Sequence, residues 1–399
     1  MKNLIRAAGA LSLGVASLAL NNSATAAEGG TKPWTASASL RGFYDDNIFT
    51  SNVGEIGSWG FDISPSLTYG RTVDNTSFDI GYTYLARWFE DRPGSSWDQN
   101  HNASFNLEHV FSPRVKTSIS DVFVSAQDPQ QALIGQVLRA EGDNINNSAA
   151  ANVSLAISEQ LDASLSYRNN FFDYSSPLFS DSLNRVEHLP TLELNYLVTP
   201  TTSVGFGYQF GIFDFDYDLL SRDYNSHIIY AGVRHNFTQS FFGSVNVGAQ
   251  VTDYDAAASD TTPYLDGKLV YQYTAASEVV LNVRHTLNAT DVFLNGAGVL
   301  LAANQQTTMF RVAWGHAFSA KIKGSLIGQF QNSEFNGGTA DGGSETFWTL
   351  GASASYALTP HLALDASYFR DSLNSDPGVL GYDRGYSRNR VFLGVRASF

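Results

Sequence analysis

The stretch "NRVFLGVRASF", residues 389–399, ends the sequence on a strict alternation. Val391, Leu393, Val395, Ala397 and Phe399 fall on one side of an extended chain, with Arg390, Gly394, Arg396 and Ser398 on the other, because successive side chains of a strand point to opposite faces. A strand of this kind without a partner is a template for aggregation, so the fold must supply one. The segment "WTASASLRG" at 34–42 stands near the other end of the chain. Pairing the first strand with the last closes a cylinder and leaves no edge.

Between those ends the same period of two recurs. "FDISPSLTY" puts Phe61, Ile63, Leu67 and Tyr69 on one face, and "FDIGYTYLARW" does the same with Phe78, Ile80, Tyr82, Tyr84, Ala86 and Trp88. "LDASLSYRN" and "VVLNVRHTL" follow suit with Leu161, Ala163, Leu165 and Tyr167, and with Val279, Leu281, Val283, His285 and Leu287. Each run has the ~10 residues that a tilted transmembrane strand needs. A short phrase separates many of them: "HVFSPRV" at 109, "LAISEQL" at 155, "YLVTPTT" at 196, "HNFTQSF" at 235, "YQYTAAS" at 271, "HAFSAKI" at 316 and "YALTPHL" at 356. The Ser or Thr of each phrase can bond nearby backbone groups in a tight turn, and Pro113, Pro200 and Pro360 stand where φ is preset. At the other strand ends lie longer polar segments, 45–58, 89–99, 126–144, 173–185, 214–225, 253–261, 288–304, 331–344 and 371–384. Eight short turns and nine long loops predict an all-β, antiparallel, up-and-down transmembrane barrel of about 18 strands (16–20) with both termini on the short-turn side.

Charge placement tests this directly. Arg41, Asp62, Asp79, Arg87, Arg168, Glu193, Arg234, Asp266, Lys268, Arg284, Arg311, Lys323, Asp365, Arg390 and Arg396 all take the parity opposite to the apolar residues. A strand charge facing hydrocarbon at mid-depth costs ~2–4 kcal/mol for Arg or Lys and less for Asp, so this segregation predicts a lipid-facing outside and a watery inside. A soluble sandwich also alternates, but requires neither the long aromatic strands nor the asymmetry of turns and loops. Asp121 breaks the rule, being in phase with Thr117, Ile119 and Phe123, which predicts a bulge or a shifted register there.

Lys2, Arg6, the apolar run from Ala7 to Leu20 and the triplet Ala24-Thr25-Ala26 have the layout of a secretory signal. The expectation is a signal peptide at 1–26 and a single barrel domain at 27–399. Removing the leader takes the formal charge from −14 to −16, which argues against nucleic acid as a partner. The absence of cysteine excludes disulfides, thiolate metal sites and a cysteine nucleophile. Aromatic residues make up 13% against 16% charged, a balance suited to apolar surface shown to lipid.

With these features in hand, the whole mature chain resembles the outer-membrane β-barrel porins of Gram-negative bacteria. It is similar in particular to the group whose first hairpin carries Tyr-Asp-Asp-Asn, here Tyr44, Asp45, Asp46 and Asn47, with repeated apolar-Ser/Thr-x-x turns. The terminal segment Val391, Leu393, Val395, Ala397 and Phe399 likewise resembles the carboxy-terminal signal read by the barrel assembly machinery. The resemblance implies outer-membrane lipid and lipopolysaccharide as surroundings, a homotrimer, no cofactor and no catalytic residues. Some members of the group are associated with exopolysaccharide or protein-sorting systems, so a polymer export or surface component without general pore activity is the alternative to a porin.

For the porin, small hydrophilic solutes diffuse through water in the lumen. The inward residues Arg41, Arg87, Arg168, Glu193, Arg234, Asp266, Lys268, Arg284, Arg311, Arg390 and Arg396 line the pore, and acidic external loops weakly favour cations. The loop "QDPQQALIGQVLRAEGDN" at 127–144 carries an apolar stretch at helical spacing and is the candidate constriction, through Leu133, Ile134, Val137 and Arg139; a lid above the barrel is the competing reading. The loop at 288–304 is second. His109, His235 and His316 precede the turn Ser or Thr where other phrases have Tyr196, Tyr271 and Tyr356, which predicts an aromatic girdle rather than metal or acid–base chemistry. "DFDYD" at 214–218 lacks the Gly and Glu of an EF-hand, where Leu219 and Asn225 stand, and the glycines of "GFGYQFG" at 205–211 lie within a strand on the lumen parity.

Overall fold

The computed structural model describes residues 33–127, 143–175, 180, 183–216, 223–255, 259–292, 301–376 and 383–399. The expected leader at 1–26 lies outside them. Eighteen strands follow in order: β1 Trp34–Asp45, β2 Ser58–Val73, β3 Thr76–Phe89, β4 Trp97–Ser112, β5 Val115–Ala126, β6 Asn144–Ala156, β7 Leu161–Tyr174, β8 Arg185–Thr199, β9 Thr202–Phe215, β10 Tyr224–Asn236, β11 Phe241–Tyr254, β12 Asp260–Thr274, β13 Ser277–Asn288, β14 Asn304–Ala317, β15 Ile322–Asn336, β16 Ser344–Thr359, β17 Leu362–Ser375 and β18 Tyr386–Ser398. Each pairs antiparallel with its neighbours in sequence, and β1 pairs with β18. Among the described residues no helix is long and apolar enough to cross a membrane.

The terminal strand has its partner. Register runs from Ser37 opposite Ser398 to Asp45 opposite Arg390, and the ladder reaches the final residue, with Phe399 N donating to Ala36 O at 2.8 Å and Ala36 N to Phe399 O at 3.2 Å. The side chain of Phe399 stays 63% exposed on the outer face, as does that of Leu393. Closure therefore satisfies the backbone while leaving the apolar side chains outside, the arrangement hydrocarbon requires.

The short turns form as their sequences dictate. Ser112, Ser158, Thr199, Thr238, Thr274, Ser319 and Thr359 each accept, through the side-chain oxygen, from the backbone N–H two residues on, at 3.2–3.3 Å. In the phrases with Ser the N–H after that also donates, at 3.0–3.1 Å. The first turn differs, using Asp74 at φ 49°.

The parity of the wall makes a direct prediction about stability. Val247, halfway along β11, is 54% exposed on the outer face, while its neighbour Asn246 faces inward opposite Asp266. Val247→Arg will destabilise the folded barrel by about 2–4 kcal/mol, and Asn246→Arg by much less. Equilibrium unfolding in urea with lipid present measures both; equal costs would contradict the assigned faces.

Candidate functional site

The inner wall carries an organised set of charges. On the sector around the seam, Arg41 of β1 donates through Nε and Nη2 to the Asp62 carboxylate of β2 at 2.8 and 2.9 Å, and Arg87 of β3 approaches the same buried carboxylate at 3.7 Å. Arg396 of β18 pairs with Asp365 of β17 at 2.9 Å, and Arg390 of β18 with Asp371 of β17 at 2.5 Å. On the far sector, Arg234 of β10 pairs with Glu193 of β8 at 3.2 Å and donates to Asn195 at 3.0 Å. Tyr230 donates to Glu193 as well, and its ring lies flat over Gly207 of β9, where a Cβ would sit 2.1 Å from Cζ. That contact gives the lumen-facing glycine of "GFGYQFG" its reason: no larger residue leaves the tyrosine room. Arg168, Asp266, Lys268, Arg284 and Arg311 share the inward parity. Asp266 stands opposite Arg284 in register, and Arg311 opposite Asn282.

The mouth on the long-loop side is where the structure adds most to the sequence reading. Phe43, Phe89, Phe369 and Phe392 project inward from β1, β3, β17 and β18 and form a buried cluster. Phe43 and Phe89 meet edge to face at 5.3 Å, and Phe43 covers Gly60 of β2. The first loop turns in onto this cluster, burying Ile48 to 4% and packing Phe49 and Ile56 against it.

The residues that hold the first loop there are those of the Tyr-Asp-Asp-Asn phrase. Asp45 accepts from Arg388 Nε at 2.9 and 3.0 Å and from Asn47 N at 3.1 Å. Asp46 accepts from the backbone N and the side-chain amide of Asn389, both at 2.6 Å. Asn47, fully buried, donates to Ser387 O and Ser51 O and accepts from Ser51 N. Arg92, ion-paired to Asp98, lies over the rings of Phe49 and Phe89.

The loop after β13 is drawn in too. Val292, Leu301 and Ala302 pack with Phe335 and Ala340, and Ala289 packs with Phe215 and Tyr224. The Asp291 carboxylate receives Arg384, which precedes β18, at 2.7 and 3.2 Å, while Arg384 Nε approaches Glu345 of β16 at 3.3 Å. This buried bridge ties the segment after β13 to the start of β16 and to the segment before β18. The sequence reading had not singled out the inward first loop; of its second candidate, 288–304, the described residues are 288–292 and 301–304, which pack as above. Its first candidate, Leu133, Ile134, Val137 and Arg139, lies outside the described residues.

On the outer face, His109, His235 and His316 each pack edge to face on the phenylalanine two residues on, at 4.3, 4.5 and 4.5 Å, forming the short-turn girdle. A second belt near the loops was not read from the sequence. Tyr82, Tyr167 and Tyr208 hydroxyls bond Nδ1 of His101, His188 and His227 at 2.7–2.8 Å, always across adjacent strands. Its signal was a histidine on the outward parity early in β4, β8 and β10. Asp121 lies in an unbroken register with both neighbouring strands, opposite Phe105 and Ala149. Neither a bulge nor a slip moves it, and its carboxylate is on the outer face.

Residues 142–399, well over half of the chain, match the family model described as "Putative beta-barrel porin 2". The chain belongs to this porin family. No curated protein matches it. Among solved structures, the chain is similar to a BenF-like porin from Pseudomonas fluorescens Pf-5, with a TM-score of 0.46 and 11% identity over 92% of this chain and 99% of that one. It is similar also to OccAB4 of Acinetobacter baumannii (0.45, 14%, 92% and 99%) and to the outer-membrane protein OpdK of Pseudomonas aeruginosa (0.45, 12%, 92% and 99%). At such identities and scores the resemblance to each is loose. This porin, then, has an ionic inner wall, two aromatic belts outside and a mouth packed with its own loops.

Proposed function

We propose that the protein is a diffusion channel of the Gram-negative outer membrane, reached through the leader at 1–26, that passes small hydrophilic solutes and catalyses no reaction. The observation that carries this reading is the division of the wall: charged and amide side chains turn inward on nearly every strand while exposed apolar ones turn outward. A barrel of this strand number is wide enough for an aqueous path. Water fills the middle, the inward Arg, Lys, Asp and Glu impose a transverse field, and the loops at the mouth set the size limit. Asp45 and Asp46 are engaged in holding the first loop, so the cation preference rests on exposed acids at the loop ends such as Asp214 and Asp216. Purified protein in a planar bilayer will show discrete single-channel steps, and a salt gradient will give a reversal potential of the sign for weak cation preference. Anion selectivity would overturn the preference, and the absence of any step at all would overturn the channel.

That last outcome is what the second reading expects. The buried aromatic cluster, the Asp291–Arg384–Glu345 bridge and the inward first loop narrow the mouth, and this favours a surface or polymer-export component whose lumen opens only with a partner. Deleting residues 128–142 separates the roles of the loops: unchanged conductance removes that segment as a constriction and leaves the first loop and the 288–304 loop in that role.

A further inference from the structure

We infer that the outer face of β5–β8 is the surface on which a second copy of this chain docks, pairing two barrels about a two-fold axis. The starting point is Asp121. It lies in phase with Ile119, which is 39% exposed on the lipid side, and directly opposite Phe105. Phe105 is midway along β4 between His101 of the loop-side belt and His109 of the turn-side belt, so the carboxylate sits in the middle of the band that hydrocarbon covers. Ionisable groups in that position are costly and mark a function. Asp121 accepts from Asn147 Nδ2 at 3.1 and 3.2 Å, and among the described residues no cation pairs with it.

Its neighbours extend the anomaly. The register row through Asp121 continues across Ala149 of β6 and Asn169 of β7, and reaches the loop-side belt at His188 of β8. On the other side of the barrel the row Val245, Gly267, Val283, Phe310, Phe330 and Trp348 is apolar throughout. Asn169 bonds Glu187 O and His188 Nδ1 within the chain, whereas the Asp121 carboxylate has, among the described residues, only the Asn147 amide, and lipid tails supply no further donor. Another copy of the same row supplies one, because the patch holds carboxylate and amide oxygens together with amide N–H groups. A surface carrying donors and acceptors is complementary to itself under a two-fold axis, whereas a three-fold ring needs two different matching patches. Arg370 of β17 also takes the outward parity, opposite Leu350, but it lies over the Trp348 ring, whereas Asp121 has, among the described residues, only the Asn147 amide beside it. Ala149 and Ala151 at its centre let two walls approach closely, as small residues do between membrane segments.

The chain contains no cysteine, so single cysteines report on contact without background. Asn147→Cys, Ala149→Cys and Asn169→Cys, oxidised in native outer membranes, are expected to give a covalent dimer, and Val283→Cys on the apolar wall to give none. Native mass spectrometry of the full chain in mild detergent is expected to show a dimer whose dissociation constant rises about tenfold in Asp121→Leu. Ala149→Trp, which blocks approach without touching the polar groups, is expected to give monomer. A monomeric wild type with no cross-links, cross-links only to a different protein, or equal cross-linking at Val283→Cys would each overturn the assignment.

Discussion

Deleting residues 48–56 and bridging the gap with a short glycine linker will raise single-channel conductance severalfold. Conductance is set by the narrowest cross-section along the path, and in this barrel the first loop supplies bulk at the mouth. Ile48, Phe49 and Ile56 lie against the inward phenylalanines of β1, β3, β17 and β18. Removing them exposes that cluster to water without touching any strand pairing, so the barrel survives the change: the seam ladder from Ser37 to Asp45 is intact. Selectivity should hardly move, because the ionic wall below, from Asp62 to Arg396, is unaltered. A deletion variant that folds, shows heat-modifiable migration and conducts like the parent would mean that the limiting constriction lies elsewhere, at the 128–142 segment or at the Asp291–Arg384 bridge.

Most of the architecture was legible because a membrane barrel writes its constraints into each strand separately. Alternation at 391–399 needs no knowledge of the rest of the chain, and neither does the Ser or Thr that accepts from the backbone N–H groups two and three residues on. Parity then sorted Arg41, Asp62, Arg390 and Arg396 to the inside, since a misplaced charge meets hydrocarbon. What parity does not carry is which inward residues meet. The Asp45–Arg388 pair joins positions 343 apart in the chain, and Asp291 meets Arg384 across 93. Both depend on the closure of the cylinder, which brings the first, seventh and last loops to one rim. The phrase Tyr44–Asn47 looked like a family mark; its chemistry became visible only when the last strand stood beside it. Asp121 is the opposite case. Its parity was read correctly, and the expectation of a bulge arose from assuming that every outward position faces lipid.

Arg388→Met will destabilise the mouth by about 3–5 kcal/mol, the cost of leaving one member of a buried ion pair behind. The two side chains are 4% and 3% exposed, so the Asp45 carboxylate has little water to turn to once the guanidinium is gone. The double variant Asp45→Leu/Arg388→Met should recover most of that loss, since replacing both charges by apolar groups of similar size is often neutral. It should not recover all of it. Asp45 also accepts from Asn47 N, and a buried N–H left without an acceptor costs roughly 1–3 kcal/mol. Urea unfolding in lipid gives the stabilities of the set, and the conductance of each variant separates stability from position. If the pair serves to seat the first loop, the double variant will be nearly as stable as the parent yet conduct like the 48–56 deletion. A double variant with parental conductance would show instead that the aromatic cluster and the Asp46–Asn389 bonds suffice to hold the loop, and a stable Arg388→Met single variant would show that Asp45 finds water at the rim.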